Sequence, residues 1–471
     1  MRPLLVLLGL TLALGFPGVA IAAAPQITLD PALQPAFSTS QRDYVTRCTD
    51  GRIRASATGT RRLPVSIDGH PASSAAQTVD VPLAPGQRFA FAVGRRSYSV
   101  RCMPDGLVGL NASGRLPASM PLVLLSANRL LTPGNPGYAV VVDRRGVPLW
   151  WRAGSPLVAA AEFAGRDRIA VWDGALADAD VGRGTLRFER TDGSRIRSWP
   201  AVDAHEAHLS SDGSWWVITA AERRNVDLRP YDGPASASTF DGVVEQRSAS
   251  GRTLWAWNSS DHTGILDSGR WLAPIIALQS QDRRMDLQHL NSVDTDGRGT
   301  VVISACHQDA VYGVRKRDGA ILWKLGGTPS AKSLAVLGDH TEMTFGGQHD
   351  ARLQPDGTIT VFDNGTSLNR PSRATRWRID LRRRTARLVE EIVEPHAMSN
   401  LPGGGAVRDS AGNWLVAWAT GTRVRAYDRR HRTIFRINYA SPAISYRAVP
   451  AAPGQMSRDA LVTGMDRRNP R

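Results

Sequence analysis

Three histidines stand in one register along this chain. His205, His289 and His349 each precede an Asp-Gly pair, Asp212-Gly213, Asp296-Gly297 and Asp356-Gly357, by seven residues. Imidazole titrates near neutrality, so it can act as nucleophile, as proton donor or acceptor, or as metal ligand. Equivalent positions in repeated units fall at equivalent places. If these residues open the innermost strands of their units, their side chains converge on one axis. Transfer chemistry on an imidazole and a zinc or copper site built from the same three rings are both open on this pattern. His208, three residues beyond His205, points to the opposite face of a strand and is set outside the cluster. In the unit that carries His396 the register falls on Gly404 instead, which puts His396 on a loop leading into the site.

The elements that must position these residues are strands. From about residue 120 a turn containing Gly is followed by a strand ending in Trp or another large apolar residue. Examples are Gly146 before Trp150-Trp151, Gly251 before Trp255 and Trp257, and Gly319 before Trp323. Units at 121–155, 156–200, 203–261, 289–327, 348–395 and 402–440 give six repeats of about four strands each, the pattern of a β-propeller. Polar insertions at 221–241 and 258–288 are expected on one rim, where loops shape sites. Ahead of this, short alternating strands such as Val65-Ser66-Ile67 and Arg88-Phe89-Ala90-Phe91 read as a small β-sandwich. The expected organisation is therefore all-β: a signal peptide at 1–22, a sandwich at 23–118 and a six-bladed propeller at 119–471.

Composition narrows the classes further. The chain has 471 residues, 42% hydrophobic and 21% charged, which excludes disorder, collagen and coiled coil. Net charge is +15, but the basic residues, all Arg except Lys316, Lys324 and Lys332, are spread along the chain. That spread favours small anionic ligands over nucleic acid. Met1-Arg2-Pro3, the apolar run from Leu4 to Phe16 and Ala20-Ile21-Ala22 have the form of a secretory signal, so the expected location is periplasmic or secreted, with no membrane span after cleavage. An oxidising compartment makes Cys48–Cys102 the expected disulfide and leaves Cys306 free. No G-x-x-x-x-G-K-[ST], H-E-x-x-H or G-x-S-x-G motif is present, and Gly403-Gly404-Gly405 lacks a strand-turn-helix setting, which argues against nucleotide chemistry.

The segments around the histidines are similar to the bacterial arylsulfate sulfotransferase family. They are His205-Glu206-Ala207-His208 through Asp212-Gly213, His289-Leu290-Asn291-Ser292, Ser304-Ala305-Cys306-His307-Gln308-Asp309 running to Gly326-Gly327, Gln348-His349-Asp350-Ala351-Arg352, Phe362-Asp363-Asn364-Gly365 and Ser372-Arg373-Ala374. The resemblance implies sulfuryl transfer from an aryl sulfate to a phenol through a sulfated histidine, with no nucleotide donor and no cofactor. It makes His349 the nucleophile and His205 and His289 its flanking catalytic partners. Asn291, His307, Cys306, Arg352, Arg373 and His396 become candidate substrate contacts. One position departs from the family: Cys306 stands where members typically carry Arg before the histidine of Ser-Ser-Arg-His. Arg352 and Arg373 are the nearest arginines by motif to replace it. Competing readings are a partner-binding propeller that has lost the reaction, a quinoprotein, suggested by the Gly-then-Trp strand endings, and a metal-binding propeller.

Overall fold

The computed structural model describes residues 24–48, 50–129, 136–154, 158–175, 182–279, 285–398, 403–440 and 443–471; the expected signal segment lies outside them. Strands dominate. Two sheets come first, one of three strands and one of four, and enclose a single apolar cluster that includes Ile53, Val81, Phe89, Phe91, Tyr98 and Val100. Their strands alternate exposed and buried, as in Gln26–Asp30 and Arg52–Thr58, because each sheet buries only one face. A disulfide joins Cys48 to Cys102 within this cluster, with Cα atoms 5.8 Å apart.

Among the described residues, six further sheets follow, each built on four antiparallel strands. Here alternation gives way to continuous burial, as in Leu122–Asn128 and Trp414–Ala417, because neighbouring sheets cover both faces. Bulky side chains, among them Trp150, Trp172, Trp216, Trp377 and Trp414, fill the space between sheets. The Gly-then-Trp repeat of the sequence proves to be the hairpin between the third and fourth strands of a unit; Gly251 and Gly319 turn at φ 92° and 71°.

Neighbouring sheets touch in succession. Ala161–Gly165 meets Leu122–Asn128 on one side and Ala207–Leu209 on the other; Leu290–Thr295 meets Trp215–Val226 and His349–Leu353. His349–Leu353 meets Gly405–Arg408, which meets Ile444–Pro450. Two pairings were invisible in the repeats. Ile444–Pro450, from the far end of the chain, completes the first sheet beside Leu122–Asn128, and Leu110–Gly114 adds to the sixth sheet beside Thr433–Tyr439. The helix Arg458–Arg468 then ties the two parts together, its Asp466 accepting from Arg88 and Arg101.

The expected insertion at 221–241 is mostly strand. Trp215–Val226 and Ala237–Arg247 extend as one long hairpin, because their ladder continues through Arg223 and Thr239. Of the insertion at 258–288, the described part up to Gln279 contains the short helices Ser259–Asp261 and Ile265–Trp271 and the helix Leu272–Gln279. Strand direction sends both to the side of the sheets where the inner strands begin. Among the described residues, no helix is long and apolar enough to cross a membrane.

Candidate active site

The three registered histidines open three inner strands, Ala207–Leu209, Leu290–Thr295 and His349–Leu353, and all three are buried. The rings of His205 and His289 lie 4.5 Å apart, and those of His289 and His349 lie 6.5 Å apart. Each ring is oriented locally. Asp203 accepts the backbone N–H of His205 at 2.8 Å and contacts its Nδ1 at 2.6 Å. Asp286 does the same for His289, at 2.7 Å to both. Burial opposes ionisation of Asp286, yet the His289 and His307 rings hold its carboxyl below the usual range. His289 sits at φ 49°, a left-handed backbone that costs about 1 kcal/mol for a residue with a β-carbon. Asp286 on its N–H and the Cys306 N–H on its carbonyl hold it there.

His349 is anchored differently. Its Nδ1 lies 3.0 Å from both the Gly347 carbonyl and Asn364 Oδ1, two acceptors that require a proton on Nδ1. Nε2 then carries the lone pair, which accepts the Gly403 N–H at 3.2 Å. The Asn364 amide orientation is consistent, since its Nδ2 donates to the Gly403 carbonyl. Burial, reinforced by the His289 and His205 rings, pushes the His349 imidazole well below its ordinary value, so at neutral pH it is uncharged, with its one ring proton on Nδ1. Gly403 must be glycine: φ is 95°, and a β-carbon would stand 2.9 Å from the Tyr446 ring. Gly404, the register position without a histidine, would meet Phe362 at 2.3 Å.

Cys306 and His307 form a single helical turn, Cys306–Gln308, between two strands of the fourth sheet. Cys306 is buried, and the His307 ring lies tilted between His289, at 4.5 Å, and Trp271, at 5.1 Å. Asp309, which closes the turn, accepts from Arg270, Trp271 Nε1 and the Gly347 N–H, so it joins the rim insertion to the loop before His349. Tyr446 completes the cluster, its ring 5.7 Å from His205 and 6.2 Å from His349. Its buried hydroxyl has no hydrogen-bond partner among the described residues, and burial raises its pKa well above that of an ordinary phenol.

Other expected contacts lie elsewhere. Arg352 is spent on Glu206 and Asp350, at 2.9 and 2.8 Å, and Arg373 on Asp339 and Asp363, at 2.9 and 2.8 Å. Neither guanidinium is left to replace the missing arginine, because a buried cation must be paired. Arg373 acts at one remove: its partner Asp363 accepts the Gly346 and Gly365 N–H groups. Asn291 donates to the Gln348 carbonyl and so positions the chain entering His349. His396 is exposed in the strand Thr385–Met398 rather than on a loop, because the outer ladder of the fifth sheet runs past it. His208 lines a separate cavity of about 320 Å³ with Glu162, Asp294 and Arg352, at the opposite ends of the inner strands.

Sequence reasoning missed Asp203, Asp286, Asn364, Asp309 and Tyr446. An acid two or three residues before a registered histidine was the available signal for the first two. Tyr446 carried none, because its strand belongs to the first unit only through a pairing across the whole chain.

An all-β chain of stacked antiparallel sheets, with buried imidazoles gathered where inner strands begin, defines the class. The chain belongs to the arylsulfotransferase (ASST) family, whose model matches residues 178–440 and so includes every registered histidine. No curated protein matches it. Solved structures similar to it include a Bacteroides caccae protein of unknown function, with 10% identity over 70% of this chain and 98% of that one and a TM-score of 0.43. TolB from Acinetobacter baumannii shows 10% identity over 86% and 81% of the chains, with a TM-score of 0.38. The Myceliophteria thermophila Cps50 (Swd1) β-propeller domain shows 9% over 71% and 90%, with a TM-score of 0.37.

Proposed function

We propose that this protein is an exported sulfotransferase, a six-bladed propeller behind a small β-sandwich, that moves a sulfuryl group from an aryl sulfate to a phenol through a sulfated His349. One observation carries the reading. His349 alone among the three registered rings has only neutral acceptors behind Nδ1, and its ring stands near those of His289 and Tyr446.

In the first half-reaction Nε2 attacks sulfur in line with the aryl oxygen. The N–S bond forms as the S–O bond breaks, and the phenolate leaves with the bonding electron pair, taking a proton from His205 or His289. The carboxylates of Asp203 and Asp286 hold those rings in place through the change, as a buried acid does behind a catalytic histidine. Attack removes the lone pair that accepts the Gly403 N–H, and this N–H then turns to a sulfuryl oxygen, a donor held in place before the charge develops. In the second half-reaction an acceptor phenol gives up its proton to the ring that protonated the first leaving group, its oxygen attacks sulfur, and the N–S bond breaks with its electron pair returning to Nε2, which restores His349 and its partner. Trp271, packed against His307 and covered by the Arg270 guanidinium 4.5 Å from its ring, offers the aryl group an aromatic wall.

The test is intact-protein mass spectrometry after incubation with a chromogenic aryl sulfate and no acceptor. One added sulfuryl group, lost when phenol is supplied and absent in His349→Ala, supports the reading. Donor cleavage that persists in His349→Ala overturns it.

A further inference from the structure

Cys306 gives the site a second chemistry. A ring nitrogen of His289, the Cys306 sulfur and a ring nitrogen of His349 lie within 4.8 Å of one another, all buried. A tetrahedral zinc with bonds of about 2.0–2.3 Å holds its ligand atoms about 3.3–3.8 Å apart, so small side-chain rotations close the set. We infer that His289, Cys306 and His349 form a Zn²⁺ site that shares its third ligand with the sulfuryl-transfer nucleophile.

Three features support this beyond proximity. The donors are two imidazoles and one thiol, which select zinc over calcium or magnesium. Asp286 stands behind His289 Nδ1 at 2.7 Å, and the Gly347 carbonyl and Asn364 Oδ1 stand behind His349 Nδ1 at 3.0 Å. Such outer partners fix the tautomer and orientation of zinc-binding histidines. Three protein ligands leave the fourth position to water, with the Tyr446 ring alongside His349. On binding, the Zn–S bond forms as the thiol proton passes to solvent. The metal then occupies the imidazole that the transfer reaction needs, so zinc and donor compete. Only that competition rests on the proposed function; metal binding stands by itself.

The experiment uses the full chain with its disulfide intact, freed of metal by chelator and loaded with Co²⁺ and then Zn²⁺. Cys48 and Cys102 are paired, so the one thiol that can ligate is Cys306. The expected results are one equivalent of metal by elemental analysis after gel filtration, a thiolate-to-Co²⁺ charge-transfer band bleached by Zn²⁺, and no uptake of Mg²⁺. Cys306→Ala and His349→Gln, each checked for folding by circular dichroism, are expected to weaken Zn²⁺ binding at least 100-fold, and Asp286→Asn about 10–100-fold. Absence of the charge-transfer band in the unaltered protein, or undiminished Zn²⁺ affinity in Cys306→Ala, overturns the site. Sulfation without zinc binding sinks this inference and leaves the transfer reading intact; zinc binding without sulfation does the reverse.

Discussion

The inner strands carry opposite chemistry at their two ends. Where they begin, His205 and His289 are each oriented by a carboxylate at Nδ1, and His349 by two neutral acceptors at Nδ1 and the Gly403 N–H at Nε2, near Cys306, His307 and Tyr446. One step beyond the histidines along the same strands, Glu206, Asp350, Arg352 and Arg447 form a largely buried ionic network. Arg447 reaches Glu206 at 2.8 Å and Arg352 reaches it at 2.9 Å, while Asp294 and Glu162 flank His208 at 3.7 and 3.6 Å. His349 and Arg352 are three residues apart on one strand, yet one is prepared for reaction and the other is spent on structure. Charge neutralisation explains the difference. Burial opposes ionisation of Asp350, and its carboxyl stays below the usual range because Arg352 and Arg447 answer it. At the imidazole end the neutral acceptors behind His349 leave burial to dominate and keep the ring uncharged.

The largest expected effect sharpens this contrast at its reactive end. His349→Ala is expected to lower single-turnover donor cleavage on the order of 10³-fold or more, and cleavage within tenfold of the unaltered protein would break the assignment. At the ionic end, Glu206→Gln leaves Arg447 and Arg352 short of a buried counter-charge. A loss of about 3–5 kcal/mol in urea denaturation is expected, and a loss under 1 kcal/mol would show the network to be dispensable. Gly403→Ala strains the left-handed turn and drives a methyl toward Tyr446, misplacing the donor on His349. Rapid-quench kinetics should show about a 10²-fold slower sulfuryl-transfer step with nearly unchanged KM.

Tyr446→Phe removes a buried hydroxyl while keeping the ring. A roughly tenfold lower kcat is expected if that hydroxyl donates to the transferring group, and an unchanged kcat would confine Tyr446 to packing. The smallest effect distinguishes the ends by pH. His349 is depressed in the fold, so the unfolded chain binds more protons below about pH 6.5 and this residue's contribution destabilises the fold as pH falls. His208 behaves oppositely. Burial lowers its value but contact with Glu162 raises it further, so its stabilisation is complete below about pH 6.5 and is lost as pH rises through the folded value. His208→Gln should therefore cost stability at about pH 5.5 and little at about pH 8.5, while transfer stays within about twofold at pH 8.5; a larger loss at the higher pH would contradict this assignment.

Much of this is legible in the sequence alone. Repeated Gly turns and Trp strands marked the outer hairpins, because only glycine takes those left-handed turns cheaply and only a large ring fills the gap between sheets. The common seven-residue interval placed His205, His289 and His349 at the same point of three units, because each interval spans one inner strand and its turn. The sequence could not say which arginines are available. Arg352 and Arg373 look like candidates until their carboxylate partners appear, and those partners are distant in sequence: Glu206 stands 146 residues before Arg352, and Asp339 stands 34 before Arg373.

By itself the sequence determined the repeat, the strand period and the residue types that meet where the inner strands begin, since these follow from local conformation and alternation. Only the tertiary structure decided which imidazole has neutral anchors, that Tyr446 closes the cluster and that the two arginines are consumed. Those outcomes depend on desolvation and on contacts between residues far apart in the chain. The 96 positions between His349 and Tyr446 hold no periodic trace of a contact made when Ile444–Pro450 completes the first sheet.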